Sequence, residues 1–162
     1  MCGNVRRAKI EEIEKIIEVY EESRKFMRYN GNYNQWIYGY PSRELIYSDI
    51  NTGNLYVYDF DNKIVGVFTF FIGKDNLYEN IKGSWTKNYE YGVVHRMGIL
   101  KRNSKIGSEC LDYCLDVCKY LRIDTHAENI PMRMFLNNNG FKECGIIIIE
   151  DGSERIGYDK SL

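Results

Sequence analysis

The stretch from Tyr91 to Phe141 constrains the fold most, because two β-type runs flank a long helical pattern. The first run, residues 91–100, ends in a short basic turn at residues 101–105. A helix is predicted from Ile106 to Leu121, and a strand at Arg122–Ala127 follows it. A turn that leads from a strand into a helix presents unpaired amide N–H groups and the positive end of the helix dipole. The stretch therefore predicts an anion site at the start of this helix.

Apolar periodicity predicts the rest of the chain around this unit. Helices are predicted from about Ile10 to Met27, after a cap at Ser42, and from about Met132 to Asn138. The further strands are predicted at Val5–Ala8, Leu55–Asp59, Ile64–Ile72, Phe141–Glu150 and Arg155–Lys160. Residues 73–88 form a long connection, for which a functional loop and a plain surface loop are both open. The order β, α, α, β, β, β, α, β, α, β, β predicts an α/β (α+β) fold with helices on both faces of a mixed sheet.

Length and charge narrow the class of protein. The 162 residues suit one domain, residues 1–162, and the net charge of −1 predicts neither nucleic-acid nor membrane binding. The 14 tyrosines could stack on bases, but no basic stripe accompanies them. No apolar run is long enough to span a bilayer and the N-terminus lacks a signal-peptide core. We therefore expect a cytoplasmic protein.

Three of the five cysteines fall on one helical stripe, at Cys110, Cys114 and Cys118. Such a stripe could be a metal or redox cluster, or a row of small apolar residues on a buried helix face. No CxxC pair and no histidine at ligand spacing accompanies it. We therefore expect packing and no metal.

The element order and several motifs resemble the GNAT superfamily of acyl-CoA-dependent N-acetyltransferases. The segment that starts at Asn129, continues through Met132 and Phe135 and ends in Gly140-Phe141 is similar to a helical motif of that family. The basic turn matches the family's phosphate-binding loop at Arg102 and Gly107, although Lys105 replaces the first glycine and the loop is shortened. A tyrosine that many members use as a proton donor falls at Leu136.

The resemblance implies a mostly antiparallel sheet with a splayed central strand pair that holds acetyl-CoA as co-substrate. Its pyrophosphate would lie on the turn and the first turn of the helix: Arg102, Asn103, Ser104, Lys105, Ile106, Gly107 and Ser108. Backbone N–H groups can bind phosphate. Lys105 lacks the conformational freedom of the glycine that it replaces, but its side chain could offer a positive charge to a phosphate. The alternative for the basic side chains is a solvated turn.

The resemblance also places the pantetheine arm along the strand at Met97, Gly98 and Ile99, as an added strand. Asn129 would hydrogen-bond the arm, cap the next helix, or do both. Met132 and Phe135 would line the thiol end, and simple core packing is the favoured alternative for both.

His95 is the candidate catalytic base, since a free imidazole accepts a proton near neutral pH. Strand alternation predicts that His95 shares its face with Met97 and Ile99, and that Arg96 points to the opposite face. A structural histidine is the alternative. For His126, alternation with Asp124 favours a role in fixing the Asn129 loop.

Two functions remain open from the sequence. One is an N-acetyltransferase that acts on a primary amine of a small molecule or peptide, and the other is a non-catalytic acyl-CoA-binding or partner-binding module. Aromatic residues that could wall the acceptor site, or form small loop clusters, are Tyr33, Trp36, Tyr38, Tyr40 and Trp85. The resemblance also allows a homodimer, paired through strand edges or the C-terminal hairpin.

Overall fold

A computed structural model describes residues 3–102 and 104–162. It contains one eight-stranded sheet in the order β1-β2-β3-β5-β6-β8-β7-β4, mostly antiparallel, with helices on both faces, as predicted. The strands are β1 Asn4–Arg7, β2 Leu55–Phe60, β3 Lys63–Ile72, β4 Lys82–Gly83, β5 Gly92–Ile99, β6 Tyr120–His126, β7 Lys142–Ile148 and β8 Glu154–Ser161. The helices are α1 Ile13–Tyr29, α2 Arg43–Asn51, α3 Ile106–Cys118 and α4 Ile130–Asn138.

The ends of the helices follow local chemistry. The Ser42 hydroxyl accepts a hydrogen bond from the Leu45 N–H and caps α2, as predicted. Helix α3 ends at Cys118, three residues before the predicted end, because Lys119 adopts a left-handed conformation with φ of 63°. Strand β6 therefore begins at Tyr120.

The connection between β3 and β5 is more ordered than a surface loop. It contains a short 3-10 turn at Asn76–Tyr78 and the edge strand β4, so the sheet has eight strands where seven were predicted. Tyr78 is 1% exposed, and its carbonyl oxygen accepts a hydrogen bond from the Trp85 indole N–H. Burial of these aromatic residues folds the segment back over the sheet.

The central strands β5 and β6 run parallel and pair only at their beginnings. The pairs are Gly92 with Leu121, Val93 with Arg122 and Val94 with Ile123, whereas both strands continue for several residues beyond. The predicted splayed strand pair is therefore present. The backbone of residues 95–99 faces an open wedge on the side of β6.

The largest core cluster lies between the sheet and helices α3 and α4. It contains Cys110 and Cys114 beside Leu111 and Leu115, as the packing interpretation predicted. Burial raises the pKa of the Cys110 thiol to about 12. Within residues 3–102 and 104–162, no group of three or more His, Cys, Asp or Glu side chains could hold a metal ion. No helix in this described part of the chain has the length and apolarity to cross a membrane.

Candidate active site

A bulge in β5 shapes the wedge. Opposite β3, His95 pairs with Thr69 and Gly98 pairs with Val67, so β5 contains one residue more than its partner between these pairs. The backbone accommodates this extra residue at Arg96, which has a left-handed φ of 50°. An extra residue reverses the alternation of side chains beyond it.

This bulge overturns the predicted faces of the strand. Met97 and Ile99 pack against the core cluster under α3, whereas His95 lies on the opposite face together with Thr69, its cross-strand neighbour. The Arg96 side chain lies on the face of His95, because it bonds the same carboxylate as Thr69. The prediction that His95 shares a face with Met97 and Ile99 was wrong, because alternation cannot anticipate an inserted residue.

Arg96 is anchored by helix α2. Its Nε and one terminal nitrogen donate to Asp49 Oδ2 at 3.0 and 2.7 Å, and its other terminal nitrogen donates to the Tyr40 hydroxyl at 3.1 Å. Burial alone lowers the pKa of Arg96, but Tyr40 and Asp49 outweigh it and raise this pKa above its ordinary value. The guanidinium therefore stays charged and pins the bulge to α2.

His95 lies between two carboxylates. Its Nε2 is 2.8 Å from Asp75 Oδ2, and its Nδ1 is 3.7 Å from Asp124 Oδ2. An ionised carboxylate only accepts hydrogen bonds, so Nε2 carries the proton when the imidazole is neutral and Nδ1 keeps its lone pair. The Tyr78 hydroxyl donates to Asp124 Oδ2 at 2.6 Å. The arrangement orients the His95 ring with Nδ1 toward Asp124.

The free energy of unfolding at acidic pH should depend on Asp75. Burial raises the pKa of this carboxyl, but the hydrogen bonds from His95 and the Leu77 N–H outweigh it and lower the pKa overall. The native state therefore binds fewer protons than the unfolded chain near pH 4, where a free Asp titrates at about 3.9. The stabilisation is full above about pH 4 and is lost as the pH falls through the lowered native pKa.

We therefore expect Asp75→Asn to flatten the fall in the free energy of unfolding below about pH 4. Urea denaturation at a series of acidic pH values measures this. Asp61→Asn, in the exposed β2–β3 turn, is the matched control. Curves of equal slope for wild type and Asp75→Asn would contradict the role of Asp75.

A cavity of about 430 Å³ occupies the open end of the wedge. His95, Arg96 and Met97 line one side, and Asp124 and Thr125 line the other. Thr125 is 1% exposed, and its Oγ1 has no hydrogen-bond partner in the described part of the chain. A buried hydroxyl without a partner is costly, so this oxygen is suited to contact a ligand.

Of the five aromatic residues that could wall the acceptor site or form loop clusters, two line this cavity. Trp36 and Tyr40 line it, whereas Tyr38 is 99% exposed and Tyr33 is 64% exposed. Trp85 lies in the β3–β5 connection, in contact with Tyr78. Among the five candidates, those that supply aromatic surface to the cleft therefore both belong to the α1–α2 loop.

That loop is fixed across the mouth of the cavity. One Arg28 nitrogen donates to the carbonyl oxygens of Asn32 and Gln35, and another donates to that of Trp36. The Gln35 side-chain oxygen accepts from the Asn129 amide at 2.9 Å. Asn129 also caps α4, since its oxygen accepts from the Met132 N–H. The predicted cap is confirmed, and its amide also bonds the loop.

His126 has the predicted structural role. Its Nδ1 lies 3.4 Å from the Glu128 N–H, and its carbonyl oxygen accepts from the Asn129 N–H at 3.0 Å. It therefore supports the turn that precedes α4.

The residues predicted for the pantetheine arm lie along the open edge of β5. Met97 lines the cavity, and Ile99 is half-buried against the core. Gly98 is a packing glycine, because a Cβ atom there would stand 2.5 Å from the Ser23 hydroxyl of α1. Gly98 can therefore pack against α1 while its backbone stays on the open edge of β5.

The predicted phosphate turn is basic but partly engaged. The Arg102 guanidinium stacks on Phe26, 3.4 Å from the ring centroid, and burial lowers its pKa. The Ser104 hydroxyl donates to the Lys101 carbonyl oxygen and accepts from the Ile106 N–H. Lys105 is exposed with φ of −77°, so this backbone does not require the glycine that it replaces. Asn103 lies outside the described residues.

The start of α3 packs tightly on α4. A Cβ atom at Gly107 would stand 2.9 Å from the ring of Phe135, so this glycine allows the two helices to approach. Ile106 is buried in the core and Ser108 is half-buried in the first turn. Phe135 packs in the core, which is the alternative favoured for it from the sequence. Met132 packs against the core as well, and it also lines the cavity.

Leu136 is fully buried in the main core cluster, so its side chain does not face the cavity. Sequence reasoning missed the partners of His95. Asp75 lies in a segment without periodicity, and Asp124 was paired with His126 by alternation alone. The signal that the sequence offered was an acidic residue, Asp75, in a long connection that also contains Tyr78.

No protein-family model matches the chain, and no curated protein matches its sequence significantly. Several solved structures match the chain over nearly its whole length. A GNAT-family acetyltransferase from Streptococcus agalactiae is 28% identical with a TM-score of 0.89, over 99% of this chain and 95% of that one. A putative acetyltransferase from Staphylococcus aureus is 23% identical with a TM-score of 0.71, over 97% of each chain. The PaiA N-acetyltransferase from Thermoplasma acidophilum, solved with coenzyme A, is 19% identical with a TM-score of 0.71, over 100% of each chain.

The sheet order, the splayed pair and these likenesses define an acetyltransferase fold. The chain has the fold of the GNAT superfamily and is similar over nearly its whole length to a GNAT-family acetyltransferase, as the resemblance of its motifs predicted.

Proposed function

We propose that this chain is an N-acetyltransferase that transfers an acetyl group from acetyl-CoA to a primary amine of a small molecule or peptide. The observation that carries the proposal is the splay, because pairing of β5 with β6 stops at Val94 and leaves a lined cleft. Structural neighbours named as acetyltransferases, one of them with coenzyme A bound, support acetyl transfer in general.

In this proposal the pantetheine arm lies along residues 97–99 as an added strand. Thr125 would supply a hydroxyl from β6, and Asn129 would supply its amide if it gave up the bond to Gln35. The pyrophosphate would lie at the start of α3, where first-turn N–H groups have no intrahelical partner. Arg102 and Lys105 would add positive charge there.

The acceptor amine would enter on the face of His95. An alkyl ammonium titrates near pH 10, so a neighbouring base must accept a proton before the nitrogen can attack. Nδ1 of His95 would accept that proton, while Asp75 holds the ring through Nε2 and Asp124 attracts the ammonium. As nitrogen bonds the carbonyl carbon, a backbone N–H near Ile99 would stabilise the oxygen. The carbon–sulfur bond then breaks, the thiolate leaves, and the nitrogen gives up its extra proton to water as the amide forms.

The thiolate needs a proton that Leu136 cannot give. The Tyr40 hydroxyl, which lines the cavity, or water would supply it. The paired His95 and Asp75 favour catalysis over a non-catalytic binding module, since a module would need no oriented base.

Calorimetry with acetyl-CoA and with coenzyme A tests the proposal first. We expect saturable heat with both, followed by thiol release when a panel of primary amines is added. Binding without thiol release from any amine would favour the non-catalytic acyl-CoA-binding module. Absence of heat with both ligands would overturn both functions.

A further inference from the structure

A second cavity, of about 810 Å³, lies under the β3–β5 connection, and we call it the Arg122 cavity. It shares no lining residue with the cleft at His95. Its walls include the aromatic rings of Trp85, Tyr89 and Tyr91, with Lys87 and Arg122. Such a mixture of flat apolar surface and a few polar groups is typical of small-molecule sites.

Arg122 is a buried cation at this cavity. The residue is 6% exposed, and its guanidinium carbon lies 3.9 Å from the Tyr91 ring centroid and 4.5 Å from that of Trp85. Nε donates to the Tyr120 hydroxyl at 3.2 Å, and Nη2 donates to the Lys87 carbonyl oxygen at 2.9 Å. Two edges of the guanidinium are therefore engaged with the protein.

The third nitrogen, Nη1, has no acceptor in the part of the chain that the structure describes. No carboxylate of that part lies within 4.0 Å of the guanidinium, and Asp159 is linked to it through the Tyr120 hydroxyl. A charge removed from water without a counterion is costly. The Arg122 cavity therefore presents a buried cation with an open hydrogen-bond donor.

The other charged residues that line the cavity balance one another and leave the positive charge of Arg122 without a partner among them. Lys74 lies 3.8 Å from Glu79, and the lining residues Lys87 and Glu90 carry opposite charges. Among the lining residues, Arg122 is therefore the cation without a partner of opposite charge, and the buried Asp159 carboxylate reaches it only through the Tyr120 hydroxyl.

We propose that the Arg122 cavity binds a small organic anion. Its carboxylate or phosphate group pairs with Nη1 of Arg122, and its apolar body lies on Trp85 and Tyr89. A charge-assisted hydrogen bond is about twice as strong as a neutral one, and an arginine flanked by aromatic rings is held ready to make it. The anion supplies a direct partner for Nη1, whereas Asp159 reaches the guanidinium only through Tyr120.

Binding can be followed at the Trp85 indole N–H, which donates to the Tyr78 carbonyl oxygen inside the cavity wall. Benzoate and inorganic phosphate are titrated separately against 15N-labelled protein at constant ionic strength, without acetyl-CoA. We expect a saturable shift of the Trp85 signal, assigned by Trp85→Phe, while the Trp36 signal stays unchanged. A response to benzoate alone assigns a carboxylate, and one to phosphate alone assigns a phosphate. No saturable shift with either probe overturns the proposal.

Variants locate the site. Arg122→Lys keeps the charge but loses the planar fork, and should weaken binding by about tenfold. Because Arg122 also holds the Lys87 carbonyl, a second pair keeps the test valid if that variant does not fold. Lys87→Ala should weaken binding by about two- to threefold, as expected for one exposed charge, whereas Lys82→Ala, on β4 outside the lining, should not. Equal affinity of these two variants, or unchanged affinity in folded Arg122→Lys, overturns the assignment. A failure here leaves the acetyl-transfer proposal untouched, because the two cavities are separate.

Discussion

Replacing His95 with alanine should lower kcat for acetyl transfer by about 10²–10⁴-fold, the usual contribution of a positioned base. The KM for acetyl-CoA should change little, because the proposed cofactor contacts are made by the backbone edge of β5 at residues 97–99 and by α3, and none is made by the His95 side chain. The effect follows from geometry: Asp75 holds Nε2 at 2.8 Å, so Nδ1 is left to accept the proton of the amine. Thiol release from acetyl-CoA, with an amine that the wild type accepts, measures kcat.

The pH profile separates a base from a structural histidine. A loss caused by a missing base should shrink as the pH rises toward the pKa of the amine, because the amine then deprotonates without help. His126→Ala is the matched control, since the other histidine supports a turn outside the proposed chemistry. Normal turnover in His95→Ala, or an equal loss at every pH, would rule out His95 as the base.

The fold was predictable because it depends on short-range patterns. Apolar periodicity gave the helices and most strands, and the Asp61-Asn62 turn, with φ of 52° and 61°, is of the kind that a hairpin needs. Edge strand β4 was not predictable, because two residues carry no periodicity. Its pairing depends on Gly83 and Gly145, whose backbones approach too closely for a side chain at either position.

The site was predictable only in part, because its geometry depends on contacts between distant residues. His95 stands out as one of two histidines, but the direction of its ring depends on Asp75, twenty positions away. The bulge at Arg96 depends on Asp49, which lies on helix α2, far away in the sequence. A single sequence shows neither contact, so alternation assigned the wrong faces beyond His95.

Replacing Asp49 with alanine should lower the free energy of unfolding by about 3–5 kcal/mol, the usual cost of removing one partner of a buried ion pair. The carboxylate is the common acceptor for Arg96 and for the Thr69 hydroxyl, and both donors would be left buried. Arg96 also has the left-handed φ of the bulge, and its side-chain bonds to Asp49 and Tyr40 help to hold this conformation. The melting temperature should fall by roughly 6–20 °C for a chain of this length.

A double variant distinguishes a lost ion pair from a general packing defect. Removing both charges in Asp49→Ala/Arg96→Met leaves no unpaired buried cation, so much of the loss should be recovered, as for other buried pairs replaced by apolar groups. Glu14→Ala, which breaks the exposed pair with Arg43, is the control and should change the melting temperature little. Urea denaturation of the wild type, the two single variants and the double variant gives the coupling energy. If the double variant is as unstable as the sum of the single ones, Asp49 stabilises the bulge by packing and not by charge.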